Sequence, residues 1–421
     1  MASKFLSDRR SVLYTLVLTS FVMPMSMSSL NVALPAISAE LGASAVQTSW
    51  VVMAFAFILA TAMFPAAWLA DRIGRKRVFL SGLILAGIIL LLSSMVTDIR
   101  MLIALRLLQG GSAAMIFATS NAIIVSIFPV GKRGAVMGLT SGAVYLGITL
   151  GPVLGGYITA WFSWREVFLL PLPFLCSALW LASDKLVLEP HVPSDAPFDW
   201  AGLFFFVCTL SLALFGASRF YEPVGWFAFM LSAASFVNFV KTESVKEKPL
   251  VNVGLFTSNR VFGMACLSMV LAYSSSFSVS FLLSFYLQYI AGYSPDTAGL
   301  MLVVTAACMV VVTPFAGRLS DKYPPRWLAS SGLTLNAMGL FLLARLDGGQ
   351  SISHIVTAQV LIGIGFGLFS APNSNRIMSS VSTQYVGQAS ASIPTMRGIG
   401  NLTSMSIVTG IFAAYLGSAM I

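Results

Sequence analysis

The 421-residue chain is 57% apolar and only 9% charged, with a mean hydropathy of +0.88 and a formal net charge of +9. A soluble domain carries about 25% charged residues, so no aqueous fold could hide this much apolar surface and the solvent must be largely lipid. The basic excess does not point to nucleic acid, because almost all Lys and Arg fall in short segments between apolar runs.

In chain order, thirteen apolar runs are long enough to span hydrocarbon, which takes about 20 helical residues. The first six are 12–36, 46–69, 76–96, 100–128, 134–160 and 165–183; two follow at 200–218 and 224–240; the last five are 261–290, 296–316, 326–345, 352–378 and 386–417. The basic start MASKFLSDRRSV precedes a run that reaches Pro35, too long for a signal-peptide core, so it reads as a retained first span. With the N-terminus in the cytoplasm, seventeen Lys and Arg fall on inside segments, against Arg100, Arg165, Arg219 and Arg345 outside. That asymmetry sets the expected orientation, N-terminus in and the end of this chain out. Arg106, Arg376 and Arg397 remain within spans.

Two loops resemble each other, AAWLADRIGRKRVFL (66–80) and FAGRLSDKYPPRWLA (315–329), with Asp71 and Asp321 in equivalent places. ELGASAVQTSW (40–50) and IAGYSPDTAGL (290–300) form a second matching pair. The chain therefore reads as two related halves. The expected division is an N-terminal bundle at 1–184, a linker with an inserted two-helix hairpin at 185–245, and a C-terminal bundle at 246–421 that is one span short. EPHVPSDAPFDW (189–200) reads as the cytoplasmic linker. The fold class is all-α: a polytopic membrane protein of two six-helix-type bundles related by pseudo-symmetry, with the hairpin between them.

These pieces resemble the major facilitator superfamily, and within it the fourteen-span drug:proton antiporters. The resemblance rests on NVALP (31–35), LADRIGRKR (69–77), RLLQGG (106–111), GITLGPVLGG (147–156), WREVF (164–168) and GYSPDTAGL (292–300). It implies two bundles, alternating access, and export of small molecules coupled to proton entry. The fourteenth helix of that branch is missing from this sequence, and its loss is expected to expose packing surface in the second half.

Gly147, Gly151 and Gly155 recur every four residues and so line one face of span five. Such a face lets backbones approach closely in lipid, while Pro152 removes a helical amide and should bend the helix. Two readings stand: tight packing alone, or a smooth surface on which the two halves glide. The resemblance favours the second, since the antiporter motif is complete here through Gly156. Asp71 is placed to cap the start of span three, with Arg72 and Arg75 anchoring the same loop. The resemblance implies a cytoplasmic latch, mostly of the first copy, because Pro324 replaces the turn glycine in the second; Ala67 stands where the family usually has glycine.

Arg106 should face a partner or a wet cavity, since arginine in hydrocarbon is costly, and Gln109 shares its helix face. A structural role and, by resemblance, a role in coupling both fit. Arg397 lies near mid-depth in span thirteen and is a further candidate. Ser26, Asn31, Trp50, Gln109, Asn121, Tyr145, Tyr273, Gln288 and Asn373 are the expected lining of a greasy cavity with scattered polar groups, suited to amphipathic ligands.

One feature of the branch is missing. Its span-one aspartate falls at Ser26, and none of the fifteen acids lies deep in a span. A neutral or anionic substrate is expected, with Glu166 or Asp71 handling protons. No cofactor, metal cluster or nucleophile–base grouping is expected, nor an enzyme; the partners are the bilayer, a small molecule and protons, with the chain working as a monomer. Two alternatives remain: a metabolite exporter or facilitator without proton coupling, and a transport-inactive membrane sensor.

Overall fold

The computed structural model describes residues 2–128, 130–186, 198–246, 249–251, 253–320, 323–346, 352–382 and 386–415. Backbone amides in hydrocarbon must be bonded within the chain, and among the described residues the regular structure is helical with no β-strand. The helices are α1 (Ala2–Leu41), α2 (Ala45–Ile73), α3 (Arg75–Ser94), α4 (Ile99–Ile127), α5 (Val130–Trp161), α6 (Trp164–Leu169), α7 (Leu172–Lys185), α8 (Trp200–Ser218) and α9 (Pro223–Val245). They continue with α10 (Val253–Ser258), α11 (Arg260–Ser276), α12 (Val279–Phe285), α13 (Pro295–Ser320), α14 (Pro325–Leu343), α15 (Ile352–Ser379) and α16 (Val386–Tyr415). Eleven helical stretches among the described residues are long and apolar enough to cross a membrane. The runs expected at 326–345 and 386–417 also form long helices, α14 and α16. On α3, Ile84, Leu85, Ile88, Leu91 and Leu92 are exposed while Leu83, Ala86, Ile89 and Leu90 are buried; a helix apolar on all sides belongs in lipid.

Two expected single spans are broken. Run 165–183 divides at Pro171 into α6 and α7. Run 261–290 divides after Ser276, and α12 passes into a π-helical turn at Tyr286–Ile290.

The chain separates into two compact units, residues 1–198 and 199–419, and the hairpin helices α8 and α9 belong to the second. In unit 1, α1 packs along α5, and α4 packs against both α2 and α3. In unit 2, α11 packs along α16, and α15 packs against both α13 and α14. The same pairing scheme thus recurs, as the repeated loops imply. Each of these seams is opened by glycine. A Cβ at Gly110 would lie 3.0 Å from Ile58 Cβ, at Gly82 3.0 Å from Ile116 Cγ1, at Gly363 2.7 Å from Cys308 Cβ, and at Gly400 2.6 Å from Tyr273 Cβ.

The seam of α1 and α5 accounts for GITLGPVLGG. Gly147, Gly151 and Gly155 face Phe21, Met25, Ser28 and Ser29 of α1; a Cβ at Gly151 would sit 2.8 Å from the Met25 carbonyl oxygen, and one at Gly155 2.8 Å from Ser29 Cα. The Ser28 hydroxyl donates to the Gly147 carbonyl at 3.3 Å. α5 stays helical through Pro152, which is buried with Gly156. The face of Gly147, Gly151 and Gly155 is occupied by α1 of the same unit, so these residues close a seam inside one bundle, as the tight-packing reading expects. Gly155→Val should lower stability by about 1–3 kcal/mol through overpacking. Gly142→Ala, where a Cβ meets nothing within 4 Å, should be neutral or stabilising. Thermal unfolding of both variants in detergent checks the contrast, and equal effects would refute this account of the seam.

Candidate functional site

Arg106 is the largest fully buried side chain of the described residues. It rises from the second turn of α4 into the seam with α2, where Gly110 has let the backbones close. Its Nε donates to the Val51 carbonyl at 2.9 Å and its Nη1 to Gln109 Oε1 at 2.5 Å. The guanidinium carbon lies 4.5 Å from the Phe55 ring centre, a favourable cation–π contact. Every one of these partners is neutral, and Nη2 has no hydrogen-bond partner. Gln109, expected on the same helix face, is hydrogen-bonded to Arg106, and among the described residues no carboxylate contacts the guanidinium.

The loop after α2 is arranged differently from the expectation. Asp71 is still inside α2, is exposed, and pairs with Arg75 at 3.8 Å. The N-cap of α3 is Gly74, at φ 103°, with no side-chain cap bond. Asp71 as a cap of span three is thus corrected: the turn is tight enough that glycine alone joins the two helices. The basic residues bind carbonyls at neighbouring helix ends, Arg75 Nη1 to Ala122 at 3.2 Å and Lys76 Nζ to Ser183 at 2.9 Å. Arg72 stacks on Trp68, 5.2 Å from the ring centre.

At the other end of unit 1 the carboxylate that joins distant elements is Glu40, which sequence reasoning missed. Trp164 Nε1 donates to Glu40 Oε2 at 2.6 Å, Arg165 ion-pairs with Glu40 Oε1, and Arg165 Nη2 donates to the Val96 carbonyl at 3.0 Å. The WREVF signature is thereby a clamp that ties α6 to the end of α1 and to the turn before α4. Glu166, the acid singled out in that signature, is exposed in the first turn of α6. Glu40 sits at a span end, where an acid reads as interfacial; only its spacing to the distant WREVF could have hinted at the pair.

In unit 2, Arg397 on α16 lies 5.6 Å from the Tyr273 ring centre, with Nη2 3.5 Å from Ser374 Oγ. Tyr273 in turn packs edge-on against Phe366 at 4.9 Å. Arg397 and Tyr273 are thus brought together with α15. Asn373 is 3% exposed, donates to the Ala265 carbonyl at 2.9 Å and accepts from Ser268 at 3.2 Å. Its amide can satisfy both groups at once, so it bonds α11 to α15. Gln288 lies in the π-helical turn and donates to Ser284 Oγ at 3.0 Å.

Ser26 is buried on α1, where its carbonyl accepts from Ser29. Asn31 on α1, Trp50 on α2 and Tyr145 on α5 are half-buried. Asp321 and the side chain of Asn121 lie outside the described residues.

Helical seams, lipid-facing apolar surface and buried positive charge define a multi-spanning membrane transporter rather than a soluble binding module. The chain belongs to the Major Facilitator Superfamily, whose profile matches residues 16–405. It is 29% identical over 415 residues to the riboflavin transporter RibZ of Clostridioides difficile, covering 97% of this chain and 88% of that one. It is 26% identical to the multidrug resistance protein Stp of Mycobacterium tuberculosis strain CDC 1551, covering 98% and 78%, and 25% identical to the multidrug export protein EmrB of Escherichia coli, covering 94% and 78%. A bacterial homologue of the human lysosomal transporter Spinster, inward-facing and unoccupied, shares the fold with a TM-score of 0.67 and 18% identity, covering 95% of this chain and 81% of that one.

Glu40→Ala leaves the buried Trp164 N–H without its acceptor, which should cost about 1–3 kcal/mol. Glu40→Gln keeps an acceptor and loses only a part-exposed ion pair, worth under about 1 kcal/mol. Chemical or thermal unfolding should rank wild type, then Gln, then Ala; indistinguishable variants would remove the clamp.

Proposed function

We propose that the protein exports small amphipathic molecules by alternating access, driven by proton entry, and that its substrates are neutral or anionic rather than permanently cationic. The observation that carries this reading is Arg106: a buried charge with an unpartnered Nη2 and only neutral acceptors around it. Arginine at depth in a span is costly, and a ligand bearing an acceptor or a negative group would offset that cost, whereas a cation would add to it. Arg397 contributes positive charge of the same sign in the second unit. The absence of any acid deep in the spans supports the same preference. Proton exchange then falls to exposed carboxyls, Glu166 and Asp71. The names of the relatives, multidrug exporters and a riboflavin transporter, are compatible with flat, partly polar aromatic cargo.

The test is reconstitution into vesicles with an imposed pH gradient, with riboflavin as the neutral aromatic probe and ethidium as the permanent cation. Gradient-driven riboflavin flux with little ethidium flux is expected. Flux indifferent to the gradient would assign a facilitator instead, and strict preference for ethidium would overturn the charge argument. Arg106→Gln should lower riboflavin flux about tenfold, the equivalent of one charge-assisted hydrogen bond.

A further inference from the structure

Two carboxyl groups meet at the open end of the inserted hairpin. Asp199 caps the start of α8 and Glu243 lies in the last turn of α9. Both are buried, Glu243 to 2% exposure and the Asp199 side chain to 7%. Asp199 Oδ1 accepts the Gly202 amide at 2.7 Å and ion-pairs with Lys246. Glu243 Oε2 accepts the Val251 amide at 2.8 Å, in the connector that leads to α10. The other two oxygens, Asp199 Oδ2 and Glu243 Oε1, converge over Gly202: a Cβ there would lie 2.7 Å from the first and nearer still to the second. The carboxyls are within hydrogen-bonding reach of each other, yet neither oxygen receives a donor from another described residue. Two carboxylates have no proton to give each other, and two like charges in contact cannot both stay ionised at low cost.

Among the described residues no further charge resolves the conflict. α8 and α10 carry no charged residue, Lys241 on α9 is exposed, and Lys246 is the one cation among the described residues that faces the pair. We infer that Asp199 and Glu243 form a proton-binding site, in which a single proton on Glu243 Oε1 is donated to Asp199 Oδ2 and closes both ends of the hairpin onto the connector at Val251. This site is separate from Arg106 and does not depend on the substrate reading above. Burial works to raise the Asp199 carboxyl, but the hydrogen bonds from Lys246 and the Gly202 amide outweigh it and hold the group below the usual carboxylate range. The proton therefore resides on the glutamate side. With it bound, the cluster of two acids and Lys246 is neutral; without it, the cluster carries one uncompensated negative charge and loses a hydrogen bond.

The sign of the pH dependence follows. Asp199, depressed in the fold, contributes stability above its unfolded pKa that is lost as pH falls far enough to protonate it. The shared proton contributes stability at lower pH that is lost as pH rises and the proton leaves. The experiment is thermal unfolding of the full chain in lipid nanodiscs in choline chloride, for wild type and Glu243→Gln, which presents an amide N–H in place of the proton. Wild type should lose about 2–4 °C in Tm between about pH 6 and about pH 9, well above ordinary carboxylate values, while Glu243→Gln stays flat. A wild type as flat as the variant overturns the proposal. So does a high-pH loss that sodium chloride repairs, since a monovalent cation would then fill the gap between the oxygens. Should Glu243→Gln fail to accumulate, infrared spectroscopy of wild type carries the test. A protonated-carboxyl carbonyl band present at about pH 6 and gone at about pH 9 supports the site, and its absence at both overturns it.

Discussion

Helices in lipid gain nothing from burying apolar side chains against each other, because the acyl chains offer the same environment. What holds them is close backbone approach, which multiplies dispersion contacts and requires residues without a side chain. The seam of α1 and α5 shows the constraint most plainly. Four residues of α1 occupy the space that Cβ atoms at Gly147, Gly151 and Gly155 would fill, and Ser28 crosses the gap to the Gly147 carbonyl. The same device recurs where α2 meets α4, where α13 and α14 meet α15, and where α11 meets α16. In the hairpin, Gly216 and Gly225 lie against each other's helices. Glycine placement, more than hydrophobicity, decides which of these uniformly apolar helices become neighbours.

That constraint explains what the sequence discloses and what it conceals. The spans are legible because every one needs about 20 apolar residues, and the bundle repeat is legible because the basic loops at 66–80 and 315–329 must sit at equivalent helix ends. The period of four in GITLGPVLGG announces a close approach, yet it carries no address, so α1 rather than the opposite bundle could not be read from it. Breaks inside spans are equally hidden: Pro171 divides one run where Pro152 leaves another continuous. Polar residues in spans look alike on paper. Asn373 turns out to be consumed by α11, whereas Gln109 is consumed by Arg106.

Pairs between residues far apart in sequence were the least legible. Glu40 and the Trp164–Arg165 dipeptide close one end of unit 1, and Asp199 with Glu243 closes the hairpin. In both cases an acid at a span terminus reads as ordinary interfacial charge until its partner is seen.

The distribution of charge then follows from the packing. A buried charge is costly unless it is matched locally, and the chain leaves two of them unbalanced in opposite ways. Arg106 is held by a carbonyl, an amide and an aromatic face, all neutral, which leaves a positive site with an unfilled donor. The hairpin end holds two acids against one lysine, which leaves a negative site with an unfilled acceptor. An arginine does not give up its proton in a protein, so the first imbalance calls for a group brought from outside. A carboxyl pair can take up a proton, so the second can be balanced by solvent pH alone. One fold built from the same glycine seams thus carries two electrostatic deficits of opposite sign, a cation that cannot shed its charge and a carboxyl pair that can take up a proton.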